Sequence, residues 1–195
     1  MTIGISIDGV LRDFAGKFRS LYEKAYETEI NEPILTADWM KYLPFESEDE
    51  LNHFLYEEYS LELFGHANEP YRTAVIDLNK LYDLYKDNHE IILLSKEHGN
   101  SISATLFFLS KTSCKIRNYN FVKSEIEALN YCDIIITSHP DILNNIPENK
   151  IGIKIKTEYN QNINCPYTFD KLKDLLGNSV FDNLLNSKII SHINL

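Results

Sequence analysis

The chain has 195 residues, 44% of them apolar and 12% aromatic, which is enough for one packed domain with a small insertion. Its formal net charge of -10, with no cluster of Lys and Arg, excludes broad binding to nucleic acid, because affinity for phosphate backbones requires concentrated positive charge. No apolar run approaches the roughly 20 residues of a membrane span, so we expect no membrane association.

The first predicted elements are a buried strand and a helix joined by a tight turn. Residues 2–7 form a short apolar run, and Gly9 follows it as the turn residue. After the turn, Phe14, Phe18 and Leu21 recur at the spacing of one helix face. The chain therefore begins with a strand that leads directly into a helix.

Residues 15–70 contain no predicted strand. Ser47 and Glu50 form a capping box that opens a helix, and Gly65 closes it. We therefore expect a small helical insertion over the edge of a sheet. Its aromatic residues either form the core of this insertion or cover a nucleobase: Trp39, Tyr42, Phe45, Phe54, Tyr56 and Tyr59.

From residue 69 onward, predicted strands alternate regularly with amphipathic helices. This alternation predicts a parallel sheet covered on both faces, which is the three-layer, Rossmann-like α/β arrangement. The tail from residue 176 is apolar and is expected to pack on the domain. The predicted strands cover residues 90–94, 114–121, 132–137 and 150–156, and the predicted helices cover residues 69–88, 101–111 and 123–130.

Polar side chains stand at three predicted strand ends and at one helix start. Ligands of parallel α/β sheets bind beyond the carboxyl ends of the strands, so these residues are the candidates for a functional site. They are Ser6, Asp8, Ser95, Lys123, Thr137, Ser138 and Asp141.

The order and spacing of these residues resemble the haloacid dehalogenase-like (HAD) phosphatases, in particular their 5'(3')-deoxyribonucleotidase branch. The stretch ISIDGVLRDF is similar to the first motif, Asp-x-Asp-Gly-Val-Leu, with Ser6 at the first Asp position and Asp8 at the second. The stretch IILLS resembles the second motif and places Ser95 as the phosphate-binding hydroxyl. Lys123 stands at the position of the phosphate-binding lysine of the third motif.

The fourth motif of that branch ends a strand with an acidic pair followed by x-Pro-Asp. Here Thr137 and Ser138 replace the acidic pair, and His139, Pro140 and Asp141 continue the pattern. The segment KTEYNQNINCPYTFDKLKDLL is similar to the closing segment and final helix of the branch. The resemblance implies a core of residues 1–14 and 71–175, a helical cap of residues 15–70, and a tail of residues 176–195.

The resemblance also implies that the catalytic groups are lost. In the family, the first Asp attacks phosphorus and the second acts as acid and base, so Ser6 replaces the nucleophile and Asp8 is a vestigial acid/base. Mg²⁺ requires oxygen ligands that usually include carboxylates, and Ser6, Thr137 and Ser138 supply none. Asp141 is left to reach an ion through water. We therefore expect no metal and no other cofactor, and a degenerate metal site.

Asp8 and Lys123 are expected to neutralise each other, with hydrogen bonds from Ser6 and Ser95. Several candidates also have a structural interpretation. Asp8 and Ser95 are suitable helix caps. Lys123 can be a solvated surface residue, and the two histidines near the predicted site can be hydrogen-bonded loop residues: His98 and His139.

Three functions remain open from the sequence. The first is a catalytically inactive HAD-like protein with a structural or protein-interaction role, for example in a viral particle, with a protein partner or a second copy of itself. The second is a metal-independent binder of phosphate or nucleotide through Ser95 and Lys123. The third is a phosphatase of unusual mechanism.

The N-terminus and the cysteines indicate a compartment. The opening MTIGISIDG lacks the basic start and cleavage site of a secretory signal. Cys114, Cys132 and Cys165 are odd in number and form no C-x-x-C pair, so neither a disulfide framework nor a structural zinc site is expected. We predict a cytoplasmic protein, or one in the cytoplasm of a host or in a virion if the source is viral.

Overall fold

A computed structural model describes residues 1–193 of the chain, and the surroundings of side chains as far as residue 186. Its centre is a six-stranded sheet in which every neighbouring pair runs parallel, in the order β3-β2-β1-β4-β5-β6. The strands are β1 (Thr2–Ser6), β2 (Glu90–Lys96), β3 (Tyr119–Val122), β4 (Ile134–Thr137), β5 (Ile151–Ile155) and β6 (Tyr167–Phe169). The predicted parallel α/β fold is confirmed.

Seven α-helices surround this sheet in the described part of the chain: α1 (Phe14–Ala25), α2 (Trp39–Tyr42), α3 (Glu48–His53), α4 (Ala74–Tyr85), α5 (Ser101–Lys111), α6 (Pro140–Asn144) and α7 (Ser179–Ile193). Two π-helical turns follow α3, at Phe54–Glu58 and Leu61–Gly65. Shorter 3₁₀ turns cover Ile126–Tyr131, Glu158–Asn160 and Leu172–Leu175.

The central strand β1 brings the polar strand ends together. It pairs with β2 on one side and with β4 on the other, so that Ile5 lies opposite both Leu93 and Ile136. Ile3 and Ile5 are fully buried among the helices that cover the sheet. Because the strands are parallel, the ends of β1 and β4 meet at the same edge of the sheet, and Ser6 lies beside Thr137 there.

Several elements differ from the sequence prediction. β2 runs two residues further, to Lys96, and β3 starts only at Tyr119. Before β3, the Arg117 side chain donates hydrogen bonds to the carbonyls of Cys114 and Ile116. The predicted helix over 123–130 is a 3₁₀ turn. The edge strand β6 was not predicted, since three residues are too few to show an alternating pattern.

The stretch between α1 and α4 is helical and has its own aromatic core. The predicted single helix from Ser47 to Gly65 is interrupted after six residues of α3 by the two π-helical turns. The Phe18 ring lies 5.3 Å from that of Trp39 and 5.7 Å from that of Phe54, centroid to centroid. Most of the predicted aromatic residues therefore pack within this insertion.

The start of α7 packs on the sheet through Phe181 and Leu185, which are buried in the main core. The Tyr85 hydroxyl donates a hydrogen bond of 2.6 Å to Asp182. The side chains from residue 187 and the backbone of residues 194–195 lie outside the described residues, so the predicted packing of the whole tail is described only in part. No described helix has the length and apolar character needed to cross a membrane.

Candidate functional site

A tight turn after β1 sets the position of Asp8. Gly9 has a φ of +73°, a conformation that is costly for a residue with a side chain, and its amide donates a 2.8 Å hydrogen bond to the Arg12 carbonyl. A Cβ atom at Gly9 would lie 2.0 Å from the Ser138 hydroxyl oxygen and 2.3 Å from that of Tyr159. The turn therefore requires glycine both for its conformation and for its close packing.

On the β4 side of this turn, four hydroxyl side chains form what we term the hydroxyl cluster: Ser6, Thr137, Ser138 and Tyr159. The Ser6 hydroxyl donates to Thr137 Oγ1 at 2.8 Å, and the same oxygen accepts the His139 amide at 3.1 Å. The Ser138 hydroxyl donates to the Asp8 carbonyl at 3.1 Å and lies 3.0 Å from the Tyr159 hydroxyl. These polar groups are hydrogen-bonded to one another and to the backbone, and they carry no formal charge.

On the β2 side lie the residues that we term the charged cluster: Asp8, Arg12, Ser95, Glu97 and Thr105. The Arg12 side chain is fully buried, and its Nε donates to Asp8 at 2.6 Å while Nη2 donates to Glu97 at 3.0 Å. Its Nη1 donates to Thr105 Oγ1 at 2.6 Å and to a backbone carbonyl at 3.0 Å. The Glu97 carboxylate also accepts from Thr105 at 2.5 Å and from Ser95 at 2.9 Å.

The charged groups of this cluster shift one another's pKa values. Burial lowers the pKa of the Arg12 guanidinium, but the charges of Asp8 and Glu97 outweigh burial, so the pKa is raised and Arg12 stays protonated. For Glu97, burial raises the pKa and the charge of Arg12 lowers it, with a net upward direction. The guanidinium also lies over the ring of Phe64, 4.8 Å from its centroid.

A cleft with a cavity of about 170 Å³ opens between this strand edge and the helical insertion. Its charged residues are Asp8, Lys96, Glu125 and Asp141, with His139 Nε2 3.7 Å from the Glu125 carboxylate. Burial raises the pKa of Glu125; the neighbouring His139 opposes this shift, and Asp8 adds to it. Aromatic, aliphatic and amide side chains form the rest of the wall, and the aromatic ones are Phe14, Trp39, Tyr56, Phe64 and Tyr159.

A family model described as 5' nucleotidase, deoxy (pyrimidine), cytosolic type C protein matches residues 1–176. The chain belongs to this nucleotidase family. The resemblance to HAD-like deoxyribonucleotidases that the motifs indicate is thereby confirmed. No curated protein matches the chain.

Solved structures agree with the nucleotidase family in fold. A protein described as a haloacid dehalogenase-like hydrolase, from Burkholderia xenovorans LB400, has 10% identity and a TM-score of 0.57, over 92% of this chain and 96% of its own. A hydrolase from Pseudomonas syringae has 13% identity and a TM-score of 0.58, over 91% of this chain and 96% of its own. At these identities the likeness shows the shared fold alone.

Within this nucleotidase fold, the structure brings most of the predicted site residues together. Ser6, Asp8 and Ser95 lie at the ends of the central strands or just beyond them, with Thr137 and Ser138 beside them.

Two predicted site residues lie further out. Asp141 is exposed in the first turn of α6, on the rim of the cleft. Lys123 is exposed after β3, where its backbone amide donates to Glu127, and it does not line the cleft.

The counter-ion of Asp8 is Arg12 rather than the expected Lys123. The turn at Gly9 places Arg12 back against Asp8, whereas Lys123 follows a strand two positions away from β1 in the sheet. The lysine that does line the cleft is Lys96, at the end of β2.

Sequence reasoning missed Arg12, Glu97 and Thr105. Two signals were available: Arg12 follows Asp8 by four residues across a turn, and Glu97 follows Ser95 by two, as residues on the same face of a strand do. Glu125 and Tyr159 were missed as well, because Glu125 directly precedes one 3₁₀ turn and Tyr159 lies in another, and neither turn has a recognisable sequence pattern.

The side chains at the degenerate metal site do not fit Mg²⁺. The Ser6, Thr137 and Ser138 oxygens are committed to the hydrogen bonds of the hydroxyl cluster, and Asp8 is bonded to a guanidinium. Among the described residues, no group of three or more His, Cys, Asp or Glu side chains could hold a metal ion. Mg²⁺ prefers carboxylate and other hard oxygen ligands, and this edge offers neutral, mutually bonded hydroxyls.

Proposed function

We propose that this chain is a nucleotidase-family protein without phosphatase activity, retained for a structural or protein-interaction role. The observation that carries the proposal is the state of Ser6. Its hydroxyl stands at the end of the central strand, where the family resemblance implies an attacking carboxylate, and it donates a hydrogen bond to Thr137 Oγ1. A serine nucleophile needs a base that accepts this proton, and Thr137 is not a base.

The other groups at this edge support the same proposal. The Asp8 carboxylate accepts a hydrogen bond from Arg12 at 2.6 Å, so it is held by a permanent cation instead of being free to protonate a leaving group. We propose that the site takes up no Mg²⁺, because the hydroxyl cluster replaces the carboxylates that such an ion requires. Phosphoryl transfer depends heavily on cationic stabilisation of the transferring group, and the cleft offers Lys96 against three carboxylates.

The same charges give weaker support to the alternative of a phosphate or nucleotide binder. A phosphate group entering the cleft would meet Asp8, Glu125 and Asp141 together with Lys96. We therefore favour a protein partner, or a second copy of this chain, over an anionic ligand. A rigid α/β fold of this kind is suited to serve as a component of a larger assembly, for example a viral particle.

We place the protein in a reducing compartment, such as the cytoplasm of its cell or of a host. The support is the state of its cysteines: Cys114, Cys132 and Cys165 are all free thiols in the structure.

A phosphatase assay tests the proposal. Purified protein is incubated with Mg²⁺ and either deoxynucleoside monophosphates or an aryl phosphate, beside a Ser6→Ala variant. We expect no turnover above buffer from either protein, because loss of a nucleophile commonly lowers turnover by on the order of 10⁶. Hydrolysis by the natural chain that Ser6→Ala abolishes would show that Ser6 is a working nucleophile and that the proposal is wrong. Affinity purification of the tagged chain from its own source tests the interaction role, and a stoichiometric protein partner is expected.

A further inference from the structure

Arg12 is an unusual residue for its position. It follows the Asp8-Gly9 turn, and its side chain is 0% exposed although it carries a full charge. Burying an unpaired charge is very costly, so a buried arginine persists only where acceptors surround it. The acceptors are four oxygens, namely one carboxylate oxygen each from Asp8 and Glu97, the Thr105 hydroxyl and the Phe64 carbonyl.

These four oxygens are suited to bind either a divalent metal ion or a guanidinium group. Two carboxylates, a hydroxyl and a backbone carbonyl are hard oxygen donors, the type that a divalent ion such as Mg²⁺ prefers. The same donors suit a planar guanidinium, which presents five N–H groups in a fixed fork. All three guanidinium nitrogens of Arg12 donate to this set, so the cation that it holds is covalently part of the chain.

We infer that Arg12 is the built-in counter-ion of Asp8, a fixed guanidinium that is bonded to both Asp8 and Glu97 and so excludes a divalent ion from Asp8. The inference deepens the proposed function and rests on it in one respect, namely that the chain works without Mg²⁺. It adds a cause: we expect the site to take up no metal not only because the hydroxyl cluster lacks carboxylates, but also because Asp8 already has a cationic partner.

Arg12 is expected to oppose metal binding even after carboxylates are introduced at the hydroxyl cluster. Placing carboxylates at Ser6, Thr137 and Ser138 leaves the guanidinium in contact with Asp8, where it repels a second cation. Removing Arg12 leaves an oxygen-lined space with two carboxylates and no counter-ion. A small cation supplied from solution is then expected to stabilise the folded protein by binding there.

Thermal unfolding tests this with the natural chain and Arg12→Ala, each in millimolar guanidinium chloride, in millimolar MgCl₂, and in NaCl of equal ionic strength. We expect both guanidinium and Mg²⁺ to raise the melting temperature of Arg12→Ala above its value in NaCl, by roughly 2–4 °C, and to leave the natural chain unchanged. An equal Mg²⁺ response in the natural chain would overturn the inference, as would an Arg12→Ala variant that responds to neither cation.

A second variant guards against a failure of Arg12→Ala to fold. Arg12→Met with Glu97→Gln keeps the volume of the buried stem and removes one charge of each sign. If Arg12→Ala does not fold, a folded double variant is the result expected for a residue that acts through its charge. If the double variant is also unfolded, Arg12 is needed for packing against Phe64 and not as a cation, and the inference is wrong.

The melting temperatures and the phosphatase assay distinguish a failure of this inference from a failure of the proposed function. Phosphatase activity in the natural chain would overturn the proposed function. It would not change the melting temperatures that we expect for the Arg12 variants. The absence of activity together with an unresponsive Arg12→Ala would overturn the inference alone.

Discussion

The hydroxyl cluster and the charged cluster lie side by side at one edge of the sheet, and they differ in the charge that they carry. In the hydroxyl cluster, Ser6, Thr137 and Ser138 are neutral and hydrogen-bonded within the protein. In the charged cluster, two carboxyl groups, Asp8 and Glu97, share the single positive charge of Arg12, and burial raises the pKa of Glu97. The first arrangement has no charge to neutralise, whereas the second depends on every one of its partners.

This difference predicts how the two clusters tolerate substitution. Replacing both partners of a neutral hydrogen bond by apolar groups of similar shape costs little free energy, because no polar group is left unpaired. A buried ion that loses one partner stays charged and is left without compensation, which is strongly unfavourable. Substitutions in the charged cluster are therefore expected to destabilise the protein more than matched substitutions in the hydroxyl cluster.

The largest effect is expected at Gly9, where the two clusters meet. Gly9→Ala would place a Cβ atom 2.0 Å from the Ser138 hydroxyl and force an L residue into a left-handed conformation. We expect the free energy of unfolding, measured in urea, to fall by about 3 kcal/mol.

Gly177→Ala is the matched control, because Gly177 also has a positive φ, of +66°, but nothing within 4 Å of its added Cβ. It should cost about 1 kcal/mol, the conformational part alone. Equal losses at Gly9 and Gly177 would show that the contact between the turn and the hydroxyl cluster does not matter.

The next effect compares two threonines, one from each cluster. Thr105→Val removes an acceptor of Arg12 and a donor to Glu97, so we expect a loss of about 3 kcal/mol in the free energy of unfolding. Thr137→Val removes only neutral partners and should cost about 1.5 kcal/mol.

A double substitution sharpens this contrast. In Thr137→Val the Ser6 hydroxyl has lost its acceptor. Adding Ser6→Ala removes this unpaired hydroxyl, and it should recover part of the lost free energy of unfolding. If Thr105→Val costs no more than Thr137→Val, the two clusters do not differ in the way we describe.

The smallest effect concerns pH and Glu125, whose carboxyl has a raised pKa in the folded protein, mainly through burial. A carboxyl of this kind contributes stability that is complete below its unfolded pKa of about 4.3 and is lost as the pH rises through its folded pKa. The natural chain should therefore lose stability relative to Glu125→Gln as the pH rises from about 4 to neutral. Ser6→Ala, in the neutral cluster, should give a difference that does not change with pH. Unfolding in urea at several pH values measures the stability of each variant relative to the natural chain. The same pH dependence of this difference for Glu125→Gln and Ser6→Ala would contradict the expectation.

The fold could be predicted from the sequence because its strands and helices have clear periods. The run at β1, the Gly9 turn and the apolar runs of β2, β4 and β5 each follow from local pattern. The π-helical turns after α3 and the three residues of β6 could not be predicted, because their form depends on what they pack against. The convergence of Ser6 and Thr137 was predictable, since parallel strand ends share one edge of the sheet.

The charged cluster could not be predicted in the same way. A lone arginine such as Arg12 is ordinarily a surface residue, and only the tertiary structure shows that Glu97 and Thr105 close around it. The lysine of the cleft was missed for a related reason: β2 continues to Lys96, so this side chain reaches the sheet edge, while Lys123 lies on an exposed turn. Small differences in where a strand ends decide which charge enters the cleft.

The bond from Arg12 Nη1 to the Phe64 carbonyl, 3.0 Å long, joins the turn after β1 to the second π-helical turn of the insertion. Any hinge motion that swings the insertion away from the sheet must break this charge-assisted bond and pull the Phe64 ring off a buried guanidinium. The insertion and the sheet are therefore expected to move as one body near this point. Widening the cleft at this point would therefore cost the free energy of this hydrogen bond and of the contact between the Phe64 ring and Arg12.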